Sequence, residues 1–475
     1  MDSEYGGIKE LGNAERGNVP ILAVIMLIFL IGAGLAYLKW SSDEGVENRF
    51  ERAAVQAHYL AQTGIVEQGF VYMRSLEPGM LPAGRIDLPN GGISGVGQYN
   101  NTYVLRDIQQ GEGNIYRMTT YYDVYSTGVV KFENNQGEEI VVTRTNTLRV
   151  RLLSLNAFMY LTDIETTIFG EVISFWGPDT LYGRVHSNDW IAIMGHPVFY
   201  GLVTTCAPDF IHGAGYAPEF VNYRPLFNVD PVLLPEEASK LRAGAAASGK
   251  SFDGGGIYQY RLVLYPTGGW EVYKWEIGAP YDSNSIAHGA ELREACFFFF
   301  GPLELKGQVR GTVTIGSSED IRLIDDIWYV NSTPGSGAID TNSTNPNVIG
   351  IVAEGNVIIA NTPENGRDNR TLGGADIIIN AGILALGESF TFEDQNDDWN
   401  EYQYPTLDER GDIHLWGSVV QRRRGYVHRS NHGGTGYGKD YHFDNRFYTL
   451  QPPCYPDATD EMGHSLFDII AWQSQ

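Results

Sequence analysis

The densest run of reactive side chains in this sequence is His186-Ser187-Asn188-Asp189. A nucleophilic serine needs a base within hydrogen-bond reach and a third group to orient that base, and these must meet in space rather than in sequence. No G-x-S-x-G segment is there to present such a serine on a sharp turn. The four residues therefore read as a turn whose polar side chains satisfy one another. A second candidate is the acidic tract Glu393-Asp394-Gln395-Asn396-Asp397-Asp398, which offers hard oxygens of the kind that hold Ca2+. Trp399 and Pro405 stand where an EF-hand loop needs its glycine and its bidentate glutamate, so a solvated loop is expected. Arg422-Arg423-Arg424 is the one basic cluster. On a strand its side chains would alternate between faces, and with Lys439, Arg446 and nearby acids they suit local salt bridges better than an anion site. His428, His432 and His442 share a glycine-rich segment without metal-like spacing and read as loop histidines. Cys206, Cys296 and Cys454 lie far apart. One pair could bridge in an oxidising compartment and leave an odd thiol, or all three could be small buried apolar residues.

The bulk composition narrows the classes of function. With 33 basic and 58 acidic residues the net charge is −25, which opposes nucleic-acid binding because phosphate must be met by a cationic surface. An apolar share of 43% and 28 tyrosines rule out general disorder, while 56 glycines favour strands joined by tight turns. The length suits two or three domains. No residue set calls for a cofactor or metal, and no small-molecule substrate is indicated.

The elements begin with an uncharged apolar run, Val19–Leu38, long enough to cross a hydrocarbon layer as one helix. It exceeds a usual signal-peptide core, and no A-x-A site follows at Tyr37-Leu38-Lys39-Trp40, so a retained anchor is expected. Lys9 and Arg16 precede the run, and Lys39, Arg49 and Arg52 follow it. The large acidic remainder favours an inside N-terminus. Beyond the run, Phe50, Ala53, Ala57, Leu60, Ala61, Gly64 and Ile65 recur at helical spacing. This stripe suits docking on the chain's own globular part, with packing against other helices as the alternative. Glu77-Pro78-Gly79 stops the helix near Leu76, and Asp43-Glu44-Gly45 is the expected interruption.

Strand signals follow. Leu148, Val150 and Leu152 alternate with arginines, and Asn134-Asn135-Gln136-Gly137 suits a hairpin turn between Val129–Phe132 and Ile140–Thr143. A helix over Pro235–Ala247 and a hairpin from Tyr258–Leu264 to Trp270–Ile277 read as an insertion near 230–280. Short apolar runs from 303 to about 420 fit a parallel β-solenoid with an inward ladder; a β-sandwich is the alternative. The expected fold is mainly β with a long N-terminal α-helix: a membrane-spanning helix plus a right-handed parallel β-solenoid. The expected divisions are a leader over 1–18, a transmembrane and amphipathic helix over 19–78, a small β-region over 79–164 and a β-rich domain over 165–475.

Two stretches carry a resemblance. Glu15-Arg16-Gly17, the apolar run and Ala57-His-Tyr-Leu-Ala-Gln-Thr-Gly-Ile65 together resemble the N-terminal segment of PilX-type minor pilins and pseudopilins. That resemblance implies a processing site between Gly17 and Asn18, and pilin or pseudopilin subunits as partners of the helix. Leu22 occupies the fifth position after the cut, where ordinary type IV pilins have a glutamate. An unprocessed envelope scaffold is therefore kept as an alternative. Gly183-Arg-Val185-His186-Ser187-Asn188, Gly307–Ile315, Gly417–Gly425 and Gly436–Arg446 are similar to an uncharacterised β-rich domain joined to such anchors in bacterial envelope proteins. No catalytic activity comes with that resemblance, and no enzyme is expected. The expected role is structural: a membrane-anchored component of a type IV filament or secretion system, single-pass in the cytoplasmic membrane, with the C-terminal domain outside. The remaining alternative is a surface β-solenoid that binds or cleaves polysaccharide, the latter needing carboxylates, or basic residues with Ca2+, on adjacent rungs.

Overall fold

The structure is a computed structural model describing residues 19–77, 80–110, 118–177, 179–340, 346–366, 375–393, 408–428 and 435–474. Its first element, α1 (Val19–Gly64), runs unbroken through Asp43-Glu44-Gly45, against the expectation of an interruption there. One interior glycine costs only about 1 kcal/mol. The hairpin turn of the neighbouring sheet also braces this stretch: Asn135 Nδ2 donates to Ser42 Oγ at 2.6 Å, and Arg49 Nη1 donates to the Glu133 carbonyl at 3.1 Å. At 1.5 Å per residue, the 46 residues of α1 span about 69 Å. A π-helical turn, Ile65–Phe70, and the short α2 (Val71–Arg74) then bring the helical path to its stop.

The two halves of α1 meet different surroundings. Val24–Trp40 is exposed throughout. Ala53, Ala57, Leu60, Ala61 and Ile65 are buried against an antiparallel sheet, so the small-residue stripe docks on the chain's own strands. That sheet runs in the order Ile86–Asp87, Gly97–Gln110, Met118–Glu133, Glu139–Leu152 and Phe467–Ser474. The expected hairpin is present, with Phe132 opposite Ile140 and Val130 opposite Val142. The last strand comes from the C-terminus, so this sheet draws on both ends of the chain. Helix and sheet approach so closely that a Cβ on Gly128 would overlap the Ala57 carbonyl.

The remainder is one large curled sheet, built mainly on parallel pairs, beside two small three-stranded parallel sheets. One consists of Phe175–Trp176, Ala192–Met194 and Ile211–His212, the other of Thr180–Leu181, Val198–Phe199 and Glu219–Phe220. Phe297, Ile315, Ile351, Ile383, Val419, Tyr160, Val185 and Val203 stand in register across successive strands and all are buried. A β-sandwich pairs antiparallel strands, so this ladder departs from that alternative. Strand order does not follow the chain. From Tyr160–Ile164 the stack proceeds to Val185–Ser187, Val203–Thr205 and Leu226–Phe227. The chain then returns to the far end at Ser251–Asp253 and works back, until Asp408–Arg423 closes on Tyr160–Ile164. Tyr160–Ile164 thus lies inside this sheet rather than in the small β-region to which 79–164 assigns it. The hairpin at 258–276 is not a separate insertion either, because Tyr258–Leu264 pairs in parallel with Leu303–Val309.

One face of the curled sheet is covered from outside. Phe298, Val352, Leu384, Val420 and Leu161 form a second apolar row, packed under α3 (Ser239–Ala247) and the segment around Tyr455. The helix begins at Ser239 and not at Pro235 because Glu354, just past the strand Val348–Ala353, accepts a hydrogen bond from the Ala238 amide at 2.8 Å and fixes the start. A Cys296–Cys454 disulfide ties this cover to the sheet, and Cys206 is free.

Candidate functional site

His186 and Ser187 lie on a strand rather than a turn, and consecutive strand residues point to opposite faces. His186 is hydrogen-bonded to Thr204 Oγ1 and Asn188 Oδ1, each at 2.8 Å. Burial pushes its pKa down, partly offset by Asn188. Ser187 Oγ accepts from the Asp189 amide at 3.1 Å, and Asn188 Nδ2 donates to Asp163 and to the Val232 carbonyl. The group locks the end of the strand to the segment around Val232 and brings no base to the serine.

The three arginines take separate partners, with Arg424 just beyond the end of the strand Asp408–Arg423. Arg422 donates to the Leu386 and Pro235 carbonyls, Arg423 pairs with Glu388 at 2.9 Å, and Arg424 pairs with Glu165 at 2.8 Å. Arg424 and Glu165 are only 2% and 3% exposed, and the guanidinium also lies 3.8 Å from the centre of the Phe175 ring. Arg446 pairs with Asp444 in a second buried site. Lys439 meets Asp179 at 3.5 Å; burial pulls its pKa down while Asp179 resists. The cavity beside Arg424 and Lys439 holds 40 Å3, too small for a substrate. Glu393 is bound to Arg322 and accepts from the Asn361 amide. The rest of the acidic tract (394–398), Trp399, Pro405, His432, Gly17 and Asn18 lie outside the described residues. Among the described residues no His/Cys/Asp/Glu group has metal-binding geometry.

His442 is on a strand, and it is where the structure gathers residues that sequence reasoning missed. Its ring stacks on Trp416 at 4.3 Å and on Tyr182 at 5.4 Å, and Tyr182 stacks on Tyr200 at 4.8 Å. Asp440 binds both His414, at 2.7 Å, and His442, at 2.8 Å. The ladder ends in a groove of 590 Å3 lined by Tyr182, Tyr200, Tyr223, Arg184, Asn222 and Asp468 among others. Its floor is a corner where Gly183 and Gly201 stack; a Cβ on Gly201 would overlap the Gly183 carbonyl. The available signal was a short repeat, Leu181-Tyr-Gly-Arg-Val185 and Phe199-Tyr-Gly-Leu-Val203.

No protein-family model, curated protein or solved structure matches this chain. Two surfaces bear on function, the exposed helix and the tyrosine groove. The helix is long and apolar enough to cross a membrane. The groove has Asp468 as its one carboxylate among the described lining residues, bridged by Arg184 at 2.8 Å and Arg151 at 3.1 Å. Glycoside hydrolysis in most families uses two carboxylates flanking the bond, and the described lining of this groove supplies one.

Proposed function

We propose that this chain is a structural envelope protein, a minor pilin or pseudopilin-like component of a filament or secretion system. In this reading one membrane-spanning helix anchors a right-handed parallel β-solenoid on the outer side of the cytoplasmic membrane. The observation that carries it is the division of α1: Val24–Trp40 exposes apolar side chains on every side, while Ala53–Met73 is seated on the chain's own sheet. A helix apolar all round needs lipid or other helices around it, since each large apolar side chain left in water forfeits about 1.5–3 kcal/mol. The Cys296–Cys454 bond supports an oxidising compartment for the β-rich part, because such bonds persist outside the reducing cytosol. The parallel ladder of inward apolar residues supports the solenoid.

The test is membrane extraction of the native protein beside a Leu27→Lys/Ile31→Lys variant. The native chain is expected to stay in the pellet through alkaline carbonate and the variant to be released. Native protein released by carbonate would overturn the anchor. N-terminal sequencing decides processing: a start at Asn18 supports the pilin-like reading, whereas an intact Met1 favours the unprocessed scaffold.

A further inference from the structure

The tyrosine groove has no part in anchoring, yet its lining is selective. Tyr182, Tyr200 and Tyr223 are 48%, 36% and 56% exposed, each just after a strand of the three-stranded sheet Thr180–Leu181, Val198–Phe199 and Glu219–Phe220. Tyr182 and Tyr200 occupy equivalent places because Phe199 pairs with Leu181, so each follows its strand by one residue. The spacing of these rings, 4.8 Å, is the spacing of the strands beneath them. Tyr182 is sandwiched between His442 and Tyr200, which fixes the ladder and leaves the Tyr223 ring and the outer edge of the stack to the groove. Around the rings stand planar polar groups: Arg184 and Arg151 held by Asp468, and Asn222, which donates to the Tyr200 carbonyl at 2.9 Å.

We propose that this groove binds an uncharged polysaccharide chain. A pyranose ring has C–H faces that lie against electron-rich aromatic faces, and hydroxyls that accept from and donate to planar polar side chains. Tyrosine rings with arginine, asparagine and carboxylate at their rims provide both. The groove opens to solvent, which a polymer longer than the site requires. Charge selects the class: both arginines are already committed to Asp468, and the chain's net charge of −25 repels polyanionic glycans. A peptide is disfavoured by the opposite wall. That wall is the edge strand Phe467–Ser474, which is bulged between Ile469 and Ala471 and so lacks the even ladder that an added strand needs. This binding role goes beyond the structural reading and fails or stands independently of it.

The experiment is native affinity electrophoresis of the full chain in detergent, through gels holding hydroxyethyl cellulose, xylan or galactomannan. Pectate, alginate and gelatin gels run beside them. At least one neutral polysaccharide is expected to retard the chain while the polyanions and gelatin do not. Tyr223→Ala, an exposed ring outside the stack, is expected to weaken that retardation about tenfold with an unchanged melting temperature. Tyr200→Ala/Tyr223→Ala is expected to abolish it. Absence of retardation by all three neutral glycans, retardation by a polyanion or gelatin instead, or full retention by the folded Tyr223→Ala chain would each overturn the proposal.

Discussion

Buried charge sets the energetics of single residues here. Arg424 and Glu165 are both removed from water, so their attraction offsets a large desolvation cost, and either alone would be a buried unpaired ion. Arg424→Leu is expected to cost about 3–5 kcal/mol in urea unfolding, and adding Glu165→Leu is expected to recover most of it. A double variant no better than the single would show that Glu165 finds other support. His414 gives a prediction in pH. Burial pulls its pKa down, but the hydrogen bond to Asp440 and the charges of Asp440 and Asp376 outweigh burial and raise it above 6.5. The fold therefore favours the protonated ring: its stabilisation is fully present below 6.5 and lost as the pH rises through the raised value. The stability lost in His414→Gln is expected to be larger at about pH 5.5 than at about pH 8.5. Equal losses at both would remove the charged contact from the account.

At the scale of elements, the seating of the helix on the sheet depends on glycines. Gly64 and Gly69 both face the sheet, where Cβ atoms would overlap Ser126 and Val124. Five residues in an α-helix turn about 500°, which would point them apart; the wider π turn over Ile65–Phe70 brings them onto one side. From the sheet, Gly128 does the same for the Ala57 carbonyl. Backbone cannot move aside as a side-chain tip can, so Gly128→Ala is expected to lower stability by about 1–3 kcal/mol in thermal melts. An unchanged melting temperature would mean the helix lifts off at no cost. Elsewhere the exposed ends of the parallel sheets are blunted. The two small sheets and the curled sheet each end there in a strand of two residues (Ile211–His212, Glu219–Phe220 and Leu226–Phe227), interleaved with Pro208, Pro218, Pro225 and Pro231. Short strands and missing amide donors discourage addition of another chain.

For the whole molecule, the ordering of the stack matters most. The segment ending in Arg423 must slot between Gly382–Ala385 and Tyr160–Ile164, so chain stretches about 260 residues apart in sequence share one ladder. Such pairing is entropically costly to form. The disulfide joins Cys296 to Cys454 across a sequence separation of 158. A loop of that size corresponds to about 5 kcal/mol in the chain-entropy account. Cys296→Ser/Cys454→Ser is expected to melt well below the native chain, with Cys206→Ser unchanged. If the Cys206 variant were the destabilised one, the pairing would be wrong.

How much of this was legible depends on distance along the chain. The apolar run, the small-residue stripe, the hairpin at Asn134–Gly137 and the short apolar strands from 303 onward were readable because each rests on neighbours: periodicity, turn chemistry and burial of one face. The same signals misplaced Pro235 in a helix and a break at Gly45, since the deciding partners, Glu354 and the Asn135 turn, lie far off in sequence. The candidate groove was hardly legible. Tyr182 and Tyr200 left a faint Tyr-Gly repeat, but Trp416 and His442 join them only because strand register stacks the end of the chain beneath its middle. The amino-acid order alone determined most element types and the long apolar helix, through local patterns that any extended chain displays. Tertiary structure alone decided which cysteines pair, which charges are buried together and which rings form a surface, because those follow from long-range register rather than from sequence neighbours.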